Sequence, residues 1–408
     1  MTADADLRGA LQAWSEGDLD RAIAGLETAA LNGAEGAWPA LLDASSEAGL
    51  DQTAAARVRA ALETAPKPET GGRLEALLAV SGIGAAPDWS AAIKLRSDAA
   101  ASGDRRAALE LALLCLLAGD ENAAIPRLEA LAGQGGGEAV AALLRLGADA
   151  GVVSETAAGQ AAALAQAHPL GGALAQDVAG LPRRKAEPGA RAAAVDAEAL
   201  ATTLFKIDGG RRALSDAPRV ATVPNAVHPA VCDYIAAAAA PFLKPAEIYD
   251  PGTGQTRPDP YRRSLTAALP ISAMDLPAMA MRERMARLAG ADASRAESLA
   301  ILVYRPGEEY RAHFDYIAED QGRASRDLAR RGQRAHTVLV KLNHEHEGGE
   351  TQFPRLDLSW SGKRGEALVF DNLTADGRGD PKTLHAGAPV SQGAKLLASL
   401  WIRAGKPV

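Results

Sequence analysis

Two histidines and an aspartate, His313, Asp315 and His385, have the residue types of a metal centre. Two imidazoles and one carboxylate form the facial triad that holds non-haem Fe(II) while leaving coordination positions open. Residues two apart on a strand point to the same side, so His313 and Asp315 can grip one ion together. His385 lies seventy positions beyond Asp315 and has to be delivered by the fold. Ten residues further on, Lys395 falls inside the apolar run Ala394-Lys395-Leu396-Leu397-Ala398-Ser399-Leu400-Trp401. A buried ammonium needs an anion, and a dicarboxylic cosubstrate would supply one. A His-x-Asp pair by itself is common on surface strands and loops. The second histidine and the lysine at this spacing are what give it weight.

The flanking residues extend the pattern. Tyr304-Arg305-Pro306-Gly307-Glu308-Glu309-Tyr310-Arg311-Ala312-His313-Phe314-Asp315 resembles the first metal-binding segment of the prolyl 4-hydroxylase-type 2-oxoglutarate/Fe(II) oxygenases. Glu347-Gly348-Gly349-Glu350-Thr351-Gln352-Phe353-Pro354 looks like that family's central turn. Gly365-Glu366-Ala367-Leu368-Val369-Phe370-Asp371-Asn372 and Asp380-Pro381-Lys382-Thr383-Leu384-His385-Ala386-Gly387 resemble its second metal segment. Pro218-Arg219-Val220 through Cys232-Asp233-Tyr234-Ile235 is similar to the family's domain start. The blocks run in family order from near residue 215 to the end.

That resemblance implies Fe(II) held by His313, Asp315 and His385, with 2-oxoglutarate and O2 as cosubstrates and ascorbate as an accessory. It implies oxidative decarboxylation to succinate and carbon dioxide, coupled to hydroxylation of a substrate. Asp315 argues against halogenation, which needs the carboxylate position vacated. Lys395 would pair with the distal carboxylate of 2-oxoglutarate, with Tyr304 and Thr337 as nearby donors. Lys341 stands where the family often has tyrosine. It either adds a second ammonium to the carboxylate site or turns outward. Trp401 and Arg403 share a strand face with Lys395 and, like Arg262, match substrate-side positions.

Other polar clusters have plainer readings. His344-Glu345-His346-Glu347 could bind metal alone but falls in a turn that the family leaves variable, so a solvated loop is expected. His336 reads as a strand start, and His168 and His228 as residues in connections. The basic stretch from Gln321 to Arg334 is either a lid over substrate or a solvated connection.

These groups must be positioned by two kinds of structure. Over the first 180 residues alanine and leucine recur at helical spacing, broken by Gly-Asp or Asn-Gly pairs. Gly17-Asp18-Leu19 recurs as Gly119-Asp120-Glu121, an offset of 102, and Gly33-Ala34-Glu35 as Gly103-Asp104-Arg105, an offset of 70. Both are near multiples of the period of stacked helix pairs. The half resembles degenerate tetratricopeptide or Sel1-like repeats, which would either present a partner-binding surface or simply cap the enzyme. Residues 181–197, with Pro182, Pro188 and Gly189, read as a linker. Residues 198–408 read as a double-stranded β-helix of the jelly-roll or cupin-like kind, with strands at 220–223, 299–304, 337–342 and 396–402 and helices at 230–243 and 276–288.

The chain has 408 residues and a net charge of −7, which gives no general attraction for nucleic acid. Its two cysteines, Cys115 and Cys232, make no disulfide framework. The start lacks the cationic segment and apolar core of a secretory signal, and no run suits a membrane span. A cytoplasmic location is therefore expected. The combined expectation is a dioxygenase that hydroxylates a prolyl or related residue of a peptide or protein, recruited by the helical half. A free amino acid or small metabolite as substrate is the alternative within enzymes. An iron- or oxygen-responsive scaffold with little turnover is the alternative outside them. Oligomeric state is not legible.

Overall fold

Gly-Asp pairs do in the structure what their chemistry allows. Gly17, Gly103 and Gly119 turn the chain at positive φ after a helix. Asp18, Asp104 and Asp120 then cap the next one by accepting from backbone N–H groups of its first turn. The computed structural model describes residues 3–66, 72–185, 193–207, 210–250, 255–259, 261–318 and 323–405. Within the first 177 residues the described chain is helical hairpins, from Ala3–Ser15 to Gly171–Asp177. Helices Leu19–Leu31 and Glu121–Gly133, which carry the offset of 102, have equal length. The other offset is not kept: Ala37–Glu47 and Arg105–Leu117 differ in length and start 68 residues apart.

The segment read as a linker is partly built into the helical half. Arg183–Arg184 pairs in parallel with Val153–Ser154. Helix Ala197–Thr203 also packs on Trp89–Ala101, with Leu200 and Leu204 buried and Phe205 edge-on to Trp89 at 5.0 Å.

The second half is two antiparallel sheets facing each other. The larger runs in the order Arg212–Asp216, Arg219–Val223, Ala367–Asp371, Arg334–Lys341, Lys395–Arg403, Leu299–Tyr304, Leu265–Leu269, Lys244–Pro245. The smaller runs Tyr310–His313, His385–Gly387, Thr351–Phe353, Leu358–Trp360. Two-residue alternation sorts the central strands. Leu397, Leu339, Leu368, Phe370, Leu302 and Tyr304 point between the sheets, where Phe353 and Trp360 meet them. Ala398, Leu400, Ile402, Val338, Val340 and Val369 point outward into a core continuous with helix Leu276–Ala289 and the helical half. Both faces are buried, which is why these strands read as nearly unbroken apolar runs.

Buried polar ties also cross the seam. Arg145 pairs with Asp233 at 2.7 Å with both side chains about 5% exposed or less. Asp43 accepts from the Ser272 backbone N–H at 2.8 Å, and Arg73 donates to the carbonyls of Ser272 and Met274.

Candidate active site

His313 closes strand Tyr310–His313 and lies in register opposite His385, the first residue of strand His385–Gly387. The two rings are 4.2 Å apart between centroids. Asp315, two residues on, reaches between them, with His313 Nε2 3.6 Å from Oδ1 and His385 Nε2 3.5 Å from Oδ2. One ligand atom from each of the three lies within 4.8 Å of the others. The outer ring nitrogens are committed elsewhere: His313 Nδ1 donates to the Arg311 carbonyl at 2.8 Å and His385 Nδ1 to the Thr383 carbonyl at 2.9 Å. A carbonyl only accepts, so the proton sits on Nδ1 and the Nε2 lone pair is free to ligate. Burial, assisted by the neighbouring His385, pushes His313 down to about 4, which keeps it neutral. Burial works to raise Asp315, but His385, His313, the Thr337 hydroxyl and Arg334 outweigh it and hold the carboxylate ionised. Two imidazole Nε2 atoms and one carboxylate around one space fit a ferrous ion.

The ligands are braced from behind. Thr337 Oγ1 donates to Asp315 Oδ2 at 2.7 Å and accepts from Asn372 Nδ2 at 2.9 Å. The sequence reading puts Thr337 beside the cosubstrate as a donor; in the structure its one hydroxyl proton goes to the metal carboxylate. Tyr310 stacks on the His313 ring at 3.5 Å between centroids. Arg334 ion-pairs with Glu297 and lies 3.9 Å above the Trp401 ring.

Further along the inner face the structure becomes cationic. Lys395 and Tyr304 are cross-strand partners, and the ammonium lies 5.4 Å from the centre of the tyrosine ring. The lysine stem crosses Gly349, where a Cβ would come within 3.1 Å of Lys395 Cδ. This explains a glycine at that position of the turn. Lys341 points inward: it is 1% exposed and its Nζ has no hydrogen-bond partner. Burial lowers Lys341 to about 8. Burial and the facing Lys341 lower Lys395 to about 7, against a partial compensation from Glu350. His346 faces the same group. Burial, Lys341 and Lys395 take it down to about 4, and neither ring nitrogen has a partner. The His344–Glu347 stretch is therefore only partly the solvated turn expected: His346–Gly348 is a short strand paired with Val390–Gly393, while His344 is exposed.

Trp401 and Arg262 meet at a cavity of about 330 Å³ that Thr266 and Glu297 also line. Trp401 Nε1, Arg262 Nε and Thr266 Oγ1 are buried there without partners. Glu47, at the end of helix Ala37–Glu47 in the helical half, forms part of the same wall. Arg403 does not belong to this face in function. Its guanidinium is taken up by Glu297 at 2.6 Å, Asp327 at 2.5 Å and the Gly332 carbonyl. Strand parity says nothing of its partners, which come from distant segments. The basic stretch is neither lid nor open loop where described: Arg323–Arg331 is helical, Arg330 pairs with Asp20, and Arg331 packs against Gly49 of the helical half. Gln321 and Gly322 lie outside the described residues.

Arg334, Asn372 and Tyr310 are site residues to which the sequence alone assigns no role, and His346 reads there only as part of a solvated turn. Tyr310 and Asn372 carry a local signal, since they lie inside the first and second metal segments.

Residues 299–403 match the 2OG-Fe(II) oxygenase superfamily. The chain is 31% identical over 204 residues to prolyl 4-hydroxylase 1 of Arabidopsis thaliana, covering 47% of this chain and 70% of that protein. It is 34% identical over 188 residues to prolyl 4-hydroxylase subunit alpha-1 of Rattus norvegicus, covering 46% of this chain and 35% of that one, so it spans about a third of that relative. Among solved structures, a viral collagen prolyl hydroxylase from Paramecium Bursaria Chlorella virus-1 in complex with 2OG superposes with a TM-score of 0.37 at 24% identity, over 47% of this chain and 99% of that one. A relative matched at this identity over most of its own length places the chain by descent, and it belongs to the 2OG-Fe(II) oxygenase superfamily with the prolyl 4-hydroxylases.

Proposed function

We propose that the protein is an Fe(II)- and 2-oxoglutarate-dependent dioxygenase that hydroxylates a prolyl or related residue in a peptide or protein. The observation that carries this is the convergence of His313, Asp315 and His385, with both Nε2 lone pairs left free. When bound, ferrous iron and 2-oxoglutarate supply oxygen activation coupled to decarboxylation, giving succinate and carbon dioxide. The chain's own residues hold and orient. Lys395 and Lys341 take the distal carboxylate of 2-oxoglutarate, with Tyr304 packed beneath and His346 as a further donor. Two ammonium groups facing each other without an anion are costly, and a dianion removes that cost. Thr337 and Asn372 keep Asp315 aimed. Arg334 holds the Trp401 ring in place as one wall for substrate.

A polypeptide substrate is supported by the cavity beside Trp401, whose unpaired Arg262 Nε and Trp401 Nε1 suit backbone carbonyls. Because Glu47 lines it too, the helical half, which we read as tetratricopeptide- or Sel1-like repeats, helps receive the chain that enters. With Fe(II), ascorbate and air, the protein should convert 2-oxoglutarate to succinate, and peptides from cells that contain it should gain about sixteen daltons, the mass of one inserted oxygen. Equal succinate formation by His313→Ala would sink the assignment.

A further inference from the structure

A second cavity, of about 350 Å³, opens at the seam between the two halves, away from the metal ligands. Its walls carry Arg282, Arg295, Arg330, Arg331 and Arg403, against a single carboxylate, Asp51. One oxygen of that carboxylate caps helix Gln52–Thr64 by accepting from the Ala54 N–H, and it forms no ion pair with these arginines among the described residues. Arg403 and Arg330 have their own carboxylates, described above. The other three have none within ion-pair distance among the described residues. Arg282 donates to the carbonyls of Ala296 and Glu297, and Arg295 to that of Ala404. Carbonyls satisfy N–H groups without cancelling charge. Arg331 has no hydrogen-bond partner among the described residues. Glu297, Asp327 and Glu47 act on it only at longer range. Burial lowers Arg282 to about 10; Glu283 and Asp292 work against the shift and Arg331 adds to it, so two guanidiniums of the cavity wall repel each other. Ser45, 4% exposed, also lines the cavity and has a buried hydroxyl with no partner.

We propose that this cavity binds a small, multiply charged oxyanion, a phosphorylated or polycarboxylic metabolite, held by Arg331, Arg282 and Arg295 with Ser45 as a hydroxyl partner. Guanidinium forks match phosphate and carboxylate oxygens two at a time. The volume lies at the small end of the roughly 300–1,000 Å³ range of ligand sites. Neither point depends on the catalytic reading. Arg331 also lines the cavity beside Trp401, so an anion bound here changes the charge presented to substrate.

The test is calorimetry on the full chain, metal-free, in a Lys395→Met background so that carboxylates do not bind at the catalytic lysines. Pyrophosphate and citrate are titrated separately. At least one should bind at one site per chain. Arg331→Ala and Arg295→Ala should each weaken it by about tenfold or more. Pyrophosphate alone identifies a phosphorylated ligand and citrate alone a polycarboxylate; binding of both leaves the site as a general oxyanion site. Arg295 is exposed, so its removal keeps the test valid if Arg331→Ala does not fold. Absence of heat from both ligands at millimolar concentration, or unchanged affinity in Arg295→Ala, overturns the proposal.

Discussion

The metal ligands and the buried lysines, two regions of one candidate site, are built on opposite terms. At the metal end the three ligands are already held: each histidine donates its outer N–H to a carbonyl, and Asp315 is fixed by Thr337 and Thr337 by Asn372. At the lysine end the donors are unspoken for, with Lys341 Nζ and both nitrogens of His346 buried and unpaired. A preformed metal centre needs its ligands held before the ion arrives. An anion site can instead hold its cations apart, uncomfortably, until the anion joins them. The contrast fits the proposed division, in which the chain finishes one end and 2-oxoglutarate the other.

The largest effect expected is at the metal end. Replacing Asp315 by Ala removes the only anionic ligand and should abolish stoichiometric metal binding by equilibrium dialysis, while leaving the fold intact by circular dichroism. At the other end, Lys395→Met leaves metal binding untouched but should weaken 2-oxoglutarate by about 2–4 kcal/mol, roughly 30- to 1,000-fold, read as KM or by calorimetry. Thr337→Val keeps shape and deletes the hydroxyl that aims Asp315, so metal affinity should fall by about 10- to 100-fold with 2-oxoglutarate affinity for the loaded centre little changed. A result with the two affinities exchanged would erase the comparison.

The smallest effect is a pH dependence confined to the lysine end. Burial holds Lys395 at about 7 and Lys341 at about 8, below the ordinary lysine value. A bound carboxylate favours the charged forms and raises both. Binding must then take up protons between the empty and occupied values, so 2-oxoglutarate affinity should decline as pH rises from 7 to 9. Calorimetry in two buffers of different ionisation enthalpy measures that uptake directly, and Lys341→Met should reduce it.

Most of this architecture could be read from residue order, and the part that could not is of one kind. The triad and Lys395 sit in short local patterns, and the strands around 299–304, 337–342 and 396–402 announce themselves by apolar runs. Strand parity puts Trp401 and Arg403 on the face of Lys395, but leaves Lys341 open between inward and outward. Parity does not say who else arrives there. Arg403 is captured by Glu297 and Asp327, over seventy residues away, and Thr337 by Asp315, across two sheets. His346 looked like part of a polar turn because its burial depends on pairing with Val390–Gly393. The basic stretch looked like a loop because helix Arg323–Arg331 gains its anchors, Asp20 and Gly49, from the far end of the chain. Long-range partners decide such positions, and spacing along the chain carries no trace of them.

The account rests on three side chains closing on one ion. Anaerobic titration of the metal-free protein with Fe(II) should saturate at one ion per chain, and His385→Ala should bind far more weakly. Undiminished one-to-one binding in that variant would contradict the account at its centre.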